Sequence, residues 1–352
     1  TNYYHEPTTF FTVERPYTET QIIPSTWRDI GIMFHGKFFN DLILYKTGVV
    51  NGMVGSSFSE RDWIRGGRQK GSKVTSQDLA YFASVEVFPI EGVLLGASYY
   101  FGGSGQKEIT KVDLLSRLDF TALVPGSDDT SKALRTHLQK EFDNSRMINP
   151  KVQIAEGHIK YEIQGVTLQG LLARGWIKEN EVRALNAKTS KNIGSTVEGA
   201  YINIGYDLAS LLGLKNKKLV LFYQNEYLNT QKRTLRNNGQ IFIEKEISQE
   251  INNTLGNNLF TVNFSNHGFI NSLNSKEIKS LLETYDIRGV ADPTNNRRIE
   301  TIGIAFYPHP NVTIKLDFEN WKSNSKYYQD SDFYNQSNNN IDVVNLAIAF
   351  IF

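Results

Sequence analysis

The side chains of this 352-residue chain best suited to acid–base or metal chemistry are its six histidines, His5, His35, His137, His158, His267 and His309. No two are spaced as a helical i, i+4 pair, so none forms the usual metal-binding pair. Cysteine is absent, which excludes a disulfide framework, thiolate zinc sites, iron–sulfur clusters and a cysteine nucleophile. The stretch from Gly66 to Lys73 (GGRQKGSK) has glycines and basic residues but lacks the Gly-Lys-Ser/Thr order of a phosphate-cradling loop. Gly102-Gly103-Ser104-Gly105 reads as a turn rather than a dinucleotide fingerprint. A Ser–His hydrolase on a barrel wall has no local signature, and nothing marks one. The reading is therefore no catalytic residue, no metal, no cofactor and no enzyme. What stands out instead is charge at alternate positions: Glu86, Glu156, His158, Lys160, Glu162, Glu226, Lys315, Asp317 and Glu319. Charges at every second residue of a strand need water on that side, and lining a pore they select solutes. A second set, Arg61, Arg65, Arg68, Lys70 and Lys73, is a basic cluster in one loop. Turned inward, it attracts anions; left outside, it meets lipopolysaccharide phosphates or solvent.

The elements that position these residues are strands. Val344, Leu346, Ile348, Phe350 and Phe352 alternate with Val343, Asn345, Ala347, Ala349 and Ile351. Val312, Ile314, Leu316 and Phe318 alternate with Thr313, Lys315, Asp317 and Glu319, after the short turn Tyr307-Pro308-His309-Pro310-Asn311. The same period runs through 81–88, 93–101, 155–163, 200–206, 219–227 and 301–306, and more weakly through 28–38, 41–51 and 166–177. About eleven strands of roughly ten residues result, longer than the roughly 5–6 residues usual in soluble sheets and matching the roughly 9–11 that cross a bilayer at a tilt. Residues 239–250 and 258–265 are further strand candidates. Short turns (38–41, 88–92, 163–166, 307–311) alternate with long polar loops (51–79, 103–151, 178–194, 228–297, 322–341). That asymmetry is the pattern of an outer-membrane barrel with its turns toward the periplasm. Tyr99, Phe101, Tyr206, Tyr227, Phe306, Tyr307, Trp321 and Phe352 are expected at its aromatic girdles. A large secreted β-sandwich also alternates and is the competing reading.

Composition agrees. Hydrophobic residues are 40% and charged residues 21% of the chain, with a formal net charge of +1. The chain is too apolar for a disordered one, and without a basic excess nucleic-acid binding is not indicated. Tyr and Phe number 17 and 21, which favours β structure. No apolar run of about 18 residues or more marks a transmembrane helix. The whole chain, 1–352, reads as one barrel domain with loop insertions at 106–150 and 229–297. Each insertion holds a helix signal, Asp128–Ser131 before Ala133, Leu134, Leu138 and Phe142, and Ser275–Ile278 before Leu281, Leu282 and Tyr285. One of them is expected to fold into or over the lumen and narrow it; the alternative is an ordered surface cap or a partner contact.

Several segments resemble phosphate-selective porin O and P-like proteins. They are Glu14-Arg15-Pro16, Ser25-Thr26-Trp27-Arg28-Asp29-Ile30-Gly31-Ile32-Met33, Thr47–Gly52, Gly96–Tyr100, Gly103–Gln106, Gly205–Leu208, Tyr307–Val312 and Val344-Asn345-Leu346 with the final Phe352. The order of these matches, spread over most of the chain, carries the resemblance. It implies an antiparallel transmembrane barrel of about 16 strands, often a homotrimer, in the bacterial outer membrane. About five strands would then precede Thr1, so that this chain lacks its amino-terminal strands. The function so expected is a porin: a water-filled channel for passive diffusion of small hydrophilic solutes or ions, anions such as phosphate among them. Its partners are outer-membrane lipid and lipopolysaccharide. A plugged structural or scaffold barrel and a barrel enzyme are the alternatives. The basic ladder that phosphate selectivity needs is not visible in the strands themselves.

Overall fold

The structure, a computed structural model, describes residues 6–71, 74–106, 127–129, 132–133, 136, 149–189, 191–234, 291–323 and 340–351. Among them are eleven strands: β1 (Gly31–Phe38), β2 (Ile43–Asn51), β3 (Leu79–Val87), β4 (Val93–Gly103), β5 (Lys151–Ile163), β6 (Val166–Ile177), β7 (Thr196–Asp207), β8 (Lys218–Arg233), β9 (Asn296–His309), β10 (Val312–Ser323) and β11 (Asn340–Phe350). They form one sheet in chain order, each strand antiparallel to the next. Strand lengths run from 8 to 16 residues, as the alternation predicts. Among the described residues β1 and β11 are the open edges of this sheet.

Turn chemistry sets the register at one end. Gln164 and Gly165 both have positive φ, 53° and 83°, the two-residue hairpin geometry whose twist matches that of the flanking strands. The β9–β10 hairpin closes with His309 opposite Val312. The other end carries the long connections. Residues 178–194, expected as loop, hold a helix, α2 (Glu179–Thr189). Val182 and Leu185 of α2 are buried, and acids sit in its first turn, where they suit the helix dipole. Of the insertion helices, Asp129, Lys132, Ala133 and Thr136 are helical. The rest of that helix, the one at 275–285, and the strand candidates 239–250 and 258–265 lie outside the described residues.

The registers stack like with like. Leu346, Leu316, Ile304, Leu221, Tyr206 and Val166 run side by side from β11 to β6. Beside that row run Val344, Phe318, Ile302, Tyr223, Ile204, Leu168 and Tyr161. Most of these large side chains are exposed. The opposite face carries Ser84, Glu86, Glu156, Gln169, Asn203, Gln224, Glu226, Lys315, Asp317 and Glu319, and all of these are buried. The sheet is therefore inside out relative to a water-soluble protein, with an apolar face bare and a polar face covered.

The cover is local. Residues 6–30, including a short helix α1 (Tyr17–Gln21), and residues 52–71 lie against the polar face. Phe11 packs with Val220, Phe222, Ala305 and Tyr307. The main core joins Ile22 to Met53, Phe58, Trp63 and Ile64, and these to Val152, Ile154, Ala173, Val197 and Leu228 of the strands.

Of the aromatic residues expected at the girdle, Phe352 lies outside the described residues, and two of the described ones turn the other way. Tyr307 is buried on the polar face in contact with Phe11, and Trp321 meets Tyr17 edge-on at 4.5 Å. Each is adjacent in sequence to a residue of the apolar face, and a period of two leaves only alternate positions on one side.

Candidate functional site

The polar face becomes a site because a chain segment is threaded along it. Residues 10–13 lie at β10 near the turn end. The Lys315 amine donates to the Phe10 and Thr12 carbonyls at 2.7 and 2.8 Å and stands 3.7 Å from the centroid of the Phe10 ring, a cation–π distance. The Val13 amide donates to Asp317 Oδ2 at 2.5 Å, while Asn345 Nδ2 holds Oδ1 at 3.0 Å. Farther on, the Tyr17 and Thr18 amides donate to the two oxygens of Glu226 at 3.0 and 2.5 Å. Those amides begin α1 and have no partner inside the helix, so the carboxylate satisfies donors that burial would otherwise orphan. Tyr201 donates to Glu19, and Arg297 donates to Gln21 Oε1 at 3.1 Å. Trp321 Nε1 donates to Glu319 Oε2 at 2.8 Å.

The 52–71 loop closes over the next stretch. Arg65 donates to the Thr20 carbonyl and Arg68 to the Ser25 carbonyl, each at 2.5 Å. Burial, and then the neighbouring Arg65, push the Arg68 guanidinium below its ordinary value. Trp63 is fully buried and its indole donates to the Gly194 carbonyl at 3.2 Å. The strands leave room for these insertions: a Cβ on Gly175 of β6 would stand 2.2 Å from the Trp63 ring, and one on Gly199 of β7 would stand 2.7 Å from Thr18 Oγ1. Close approach of a second chain segment is a reason for glycine inside a strand.

The nine charged positions singled out in the sequence all lie on strands of the sheet, and they divide into groups. Glu226, Lys315, Asp317 and Glu319 are brought together beneath residues 10–20, each nearly inaccessible to solvent. Glu156 and His158 pair on β5 at 2.9 Å. Lys160 and Glu162 lie at the turn end with Lys218, the two lysines bracketing the carboxylate at 3.0 and 2.9 Å. Glu86 is buried on β3, opposite Gly96. Of the basic cluster, Arg61 and Lys70 are exposed, Arg65 and Arg68 face the carbonyls just described, and Lys73 lies outside the described residues. Among the described residues, no group of three or more acids and histidines is disposed to hold a metal ion.

Sequence reasoning missed the threaded segment. Residues 6–30 show neither period two nor a long helical period, so their only local signal was Phe10-Phe11 and Ile22-Ile23, apolar pairs without a pattern. Their partners lie about 200 to 300 positions away in the chain, at sequence separations of 209 for Tyr17–Glu226 and 304 for Val13–Asp317.

No family model matches the chain. An uncharacterised protein of Aquifex aeolicus (strain VF5) is 38% identical over 104 residues, 29% of this chain and 23% of that protein. Among solved structures, the outer-membrane channel DcaP of Acinetobacter baumannii is similar at a TM-score of 0.37 and 8% identity, over 85% of this chain and 57% of that one. A porin is similar at 0.37 and 6%, over 92% and 62%. Salmonella typhi OmpF in complex with daunomycin is similar at 0.35 and 10%, over 82% and 52%. This chain thus spans less than two thirds of the length of each of these three structures and of the Aquifex relative.

Proposed function

We propose that this chain forms the wall of an outer-membrane β-barrel channel of the porin type, in the bacterial outer membrane, passing small hydrophilic solutes by passive diffusion. The observation that carries this reading is the bare apolar face, with Val344, Leu346 and Ile348 of β11 and Ile302 of β9 more than half exposed. Contiguous apolar surface beyond a few hundred Å² marks contact with a membrane or partner. A sheet in hydrocarbon must pair every backbone group, so β1 and β11 each take a further strand partner and the wall closes. The polar face then lines the lumen. Lys160, Glu162 and Glu86 become wall charges, and Arg61 and Lys70 charges of the loop end. Anions, phosphate among them, are the solutes that Arg61 and Lys70 would favour. Lipid and lipopolysaccharide contact the apolar rows, and a homotrimer is the assembly the porin reading brings with it.

The seated segment favours a second reading, a barrel so occupied that it serves as a scaffold. Single-channel conductance of the full chain in a planar bilayer, with the reversal potential in a salt gradient, separates the two. Steady ohmic steps support the channel, and the sign of the reversal potential reports whether acids or bases dominate the passage. A folded, membrane-inserted protein without conductance supports the scaffold.

A further inference from the structure

On the apolar face, the runs of large side chains along β6 to β9 and β11 stop at a polar residue toward the long connections. Arg174, Glu198, Asn225, Glu300 and Asp342 mark that boundary. Near β8–β10 the cations just past it sit on acids. Lys322 pairs with Glu300 at 2.8 Å, Lys232 with Glu198 at 2.6 Å and Arg233 with Glu179 at 2.6 Å, and the field of Arg298 also falls on Glu300. One patch breaks the matching. Arg174 of β6 and Lys151 of β5 are exposed, and the acids around them are taken. Glu198 lies opposite Arg174 in register, but its Oε1 receives Lys232 and the Tyr227 hydroxyl, the latter at 3.2 Å. Glu181 accepts the Lys151 backbone amide at 2.7 Å. The Lys151 amine itself stands 5.9 Å from the centroid of the Phe101 ring, a cation–π distance. Two more rings complete the patch. Tyr99 of β4 and Trp176 of β6 flank β5 at 6.3 Å from each other, and the Tyr99 hydroxyl donates to Gln153 at 2.7 Å. Below this shelf the apolar face resumes with Leu172, 65% exposed.

We infer that Arg174 and Lys151 form a docking site for the phosphate groups of lipopolysaccharide, with Tyr99, Phe101 and Trp176 seated at headgroup level beside them. The inference rests on the membrane-wall reading, in which the apolar face meets lipid and the end with the long connections faces outward. Charge selects the partner. A guanidinium takes two phosphate oxygens in parallel and an ammonium takes one as a point charge, and no acid in the patch is left to supply the counter-charge. Height agrees as well, since aromatic rings with one wet end settle where hydrocarbon gives way to headgroups. The two cations are not at one level. Lys151 lies four residues beyond Ala155, the register partner of Arg174, which is about 13 Å along the strand. That spacing suits two phosphates on one glycolipid better than a single inorganic phosphate.

Lipid competition on the full chain in phosphatidylcholine vesicles tests this. Dansyl-labelled diphosphoryl lipid A is added, energy transfer from tryptophan reads its occupancy, and unlabelled lipids compete. Diphosphoryl lipid A should displace the label about tenfold or more better than the same lipid with both phosphates removed, and better than phosphatidylglycerol by a similar factor, the scale of one charged hydrogen bond. Arg174→Gln combined with Lys151→Gln should abolish that preference. Lys215→Gln, at an exposed turn-end position, should leave it intact. Both substituted cations are exposed, and Arg174→Gln alone carries the test if the double variant does not fold. Equal displacement by phosphatidylglycerol would make the patch a general anionic-lipid surface and overturn the site. So would a preference that survives the double substitution, or one lost equally in Lys215→Gln. Conductance in the same lipid keeps the two claims apart. Steady conductance without a lipid A preference removes the site and leaves the channel. A preference lost in Arg174→Gln, in a protein that never conducts, keeps the site and removes the channel.

Discussion

Trp63 is the single side chain on which the cover of the polar face most depends. It is fully buried, donates to the Gly194 carbonyl, and fills the space above Gly175. Trp63→Ala removes a large apolar contact and leaves that carbonyl without its donor, so a loss of about 3–5 kcal/mol is expected. The denaturant midpoint reads it, and limited proteolysis of the 52–71 loop shows where the loss falls. Asp29 makes a prediction of opposite sign. Burial raises its carboxyl to about 6, although Asn51 donates to it at 3.1 Å. Its protonated form is therefore favoured by folding, and its contribution is lost as pH rises through about 6. Asp29→Asn should raise stability at neutral pH and leave it nearly unchanged at about pH 2.5, well below the ordinary value of 3.8, since there the carboxyl is neutral in both states. An equal gain at both values would assign the effect to packing instead. At this scale the sequence showed which positions were charged and alternate. It did not show that Glu226 meets the amides of Tyr17 and Thr18, because nothing local to position 226 reports what lies 208 or 209 residues upstream.

The hairpins were the most legible elements. Period two assigned faces correctly along 312–318 and 343–350, since a one-residue slip would have put Leu316 and Asp317 on each other's sides. Ile302 sits mid-strand on β9 between Phe318 and Tyr223 and is 54% exposed. If that face meets hydrocarbon, Ile302→Arg costs about 2–4 kcal/mol of folding in vesicles, while Leu211→Arg, exposed at the turn end, costs about 0–1. Urea titrations in lipid compare them, and equal costs would remove the membrane assignment of the face. The helix α2 was less legible, because its sequence from Glu179 to Thr189 is polar on average and its buried anchors among the described residues are two apolar side chains, Val182 and Leu185, and the polar Asn186. The segment 6–30 carried the resemblance at Glu14–Pro16 and from Ser25 onward, but no local period showed that it lies along the polar face.

The four tryptophans test the arrangement of the whole molecule. Trp176 packs beside Tyr99 on the apolar face, at a ring separation of 6.3 Å. Trp27 packs on Tyr100, Trp63 lies in the core, and Trp321 meets Tyr17, all on the other side of the sheet. In vesicles of brominated lipid, quenching should come from Trp176 alone and disappear in Trp176→Phe. Quenching that persists in that variant would mean that the opposite face also reaches lipid.

Two physical regularities let the sequence determine the strands, their number among the described residues, their order and the face each side chain takes. Alternation is local, and a tight turn such as Gln164-Gly165 ties each strand to its successor. Only the tertiary structure decided what covers the polar face. It laid residues 6–30 along β7, β8 and β10 and folded Arg65 and Arg68 onto that segment rather than into solvent. Such contacts form between groups far apart in the chain, where shape and charge must match in space and no repeat in the sequence records the match.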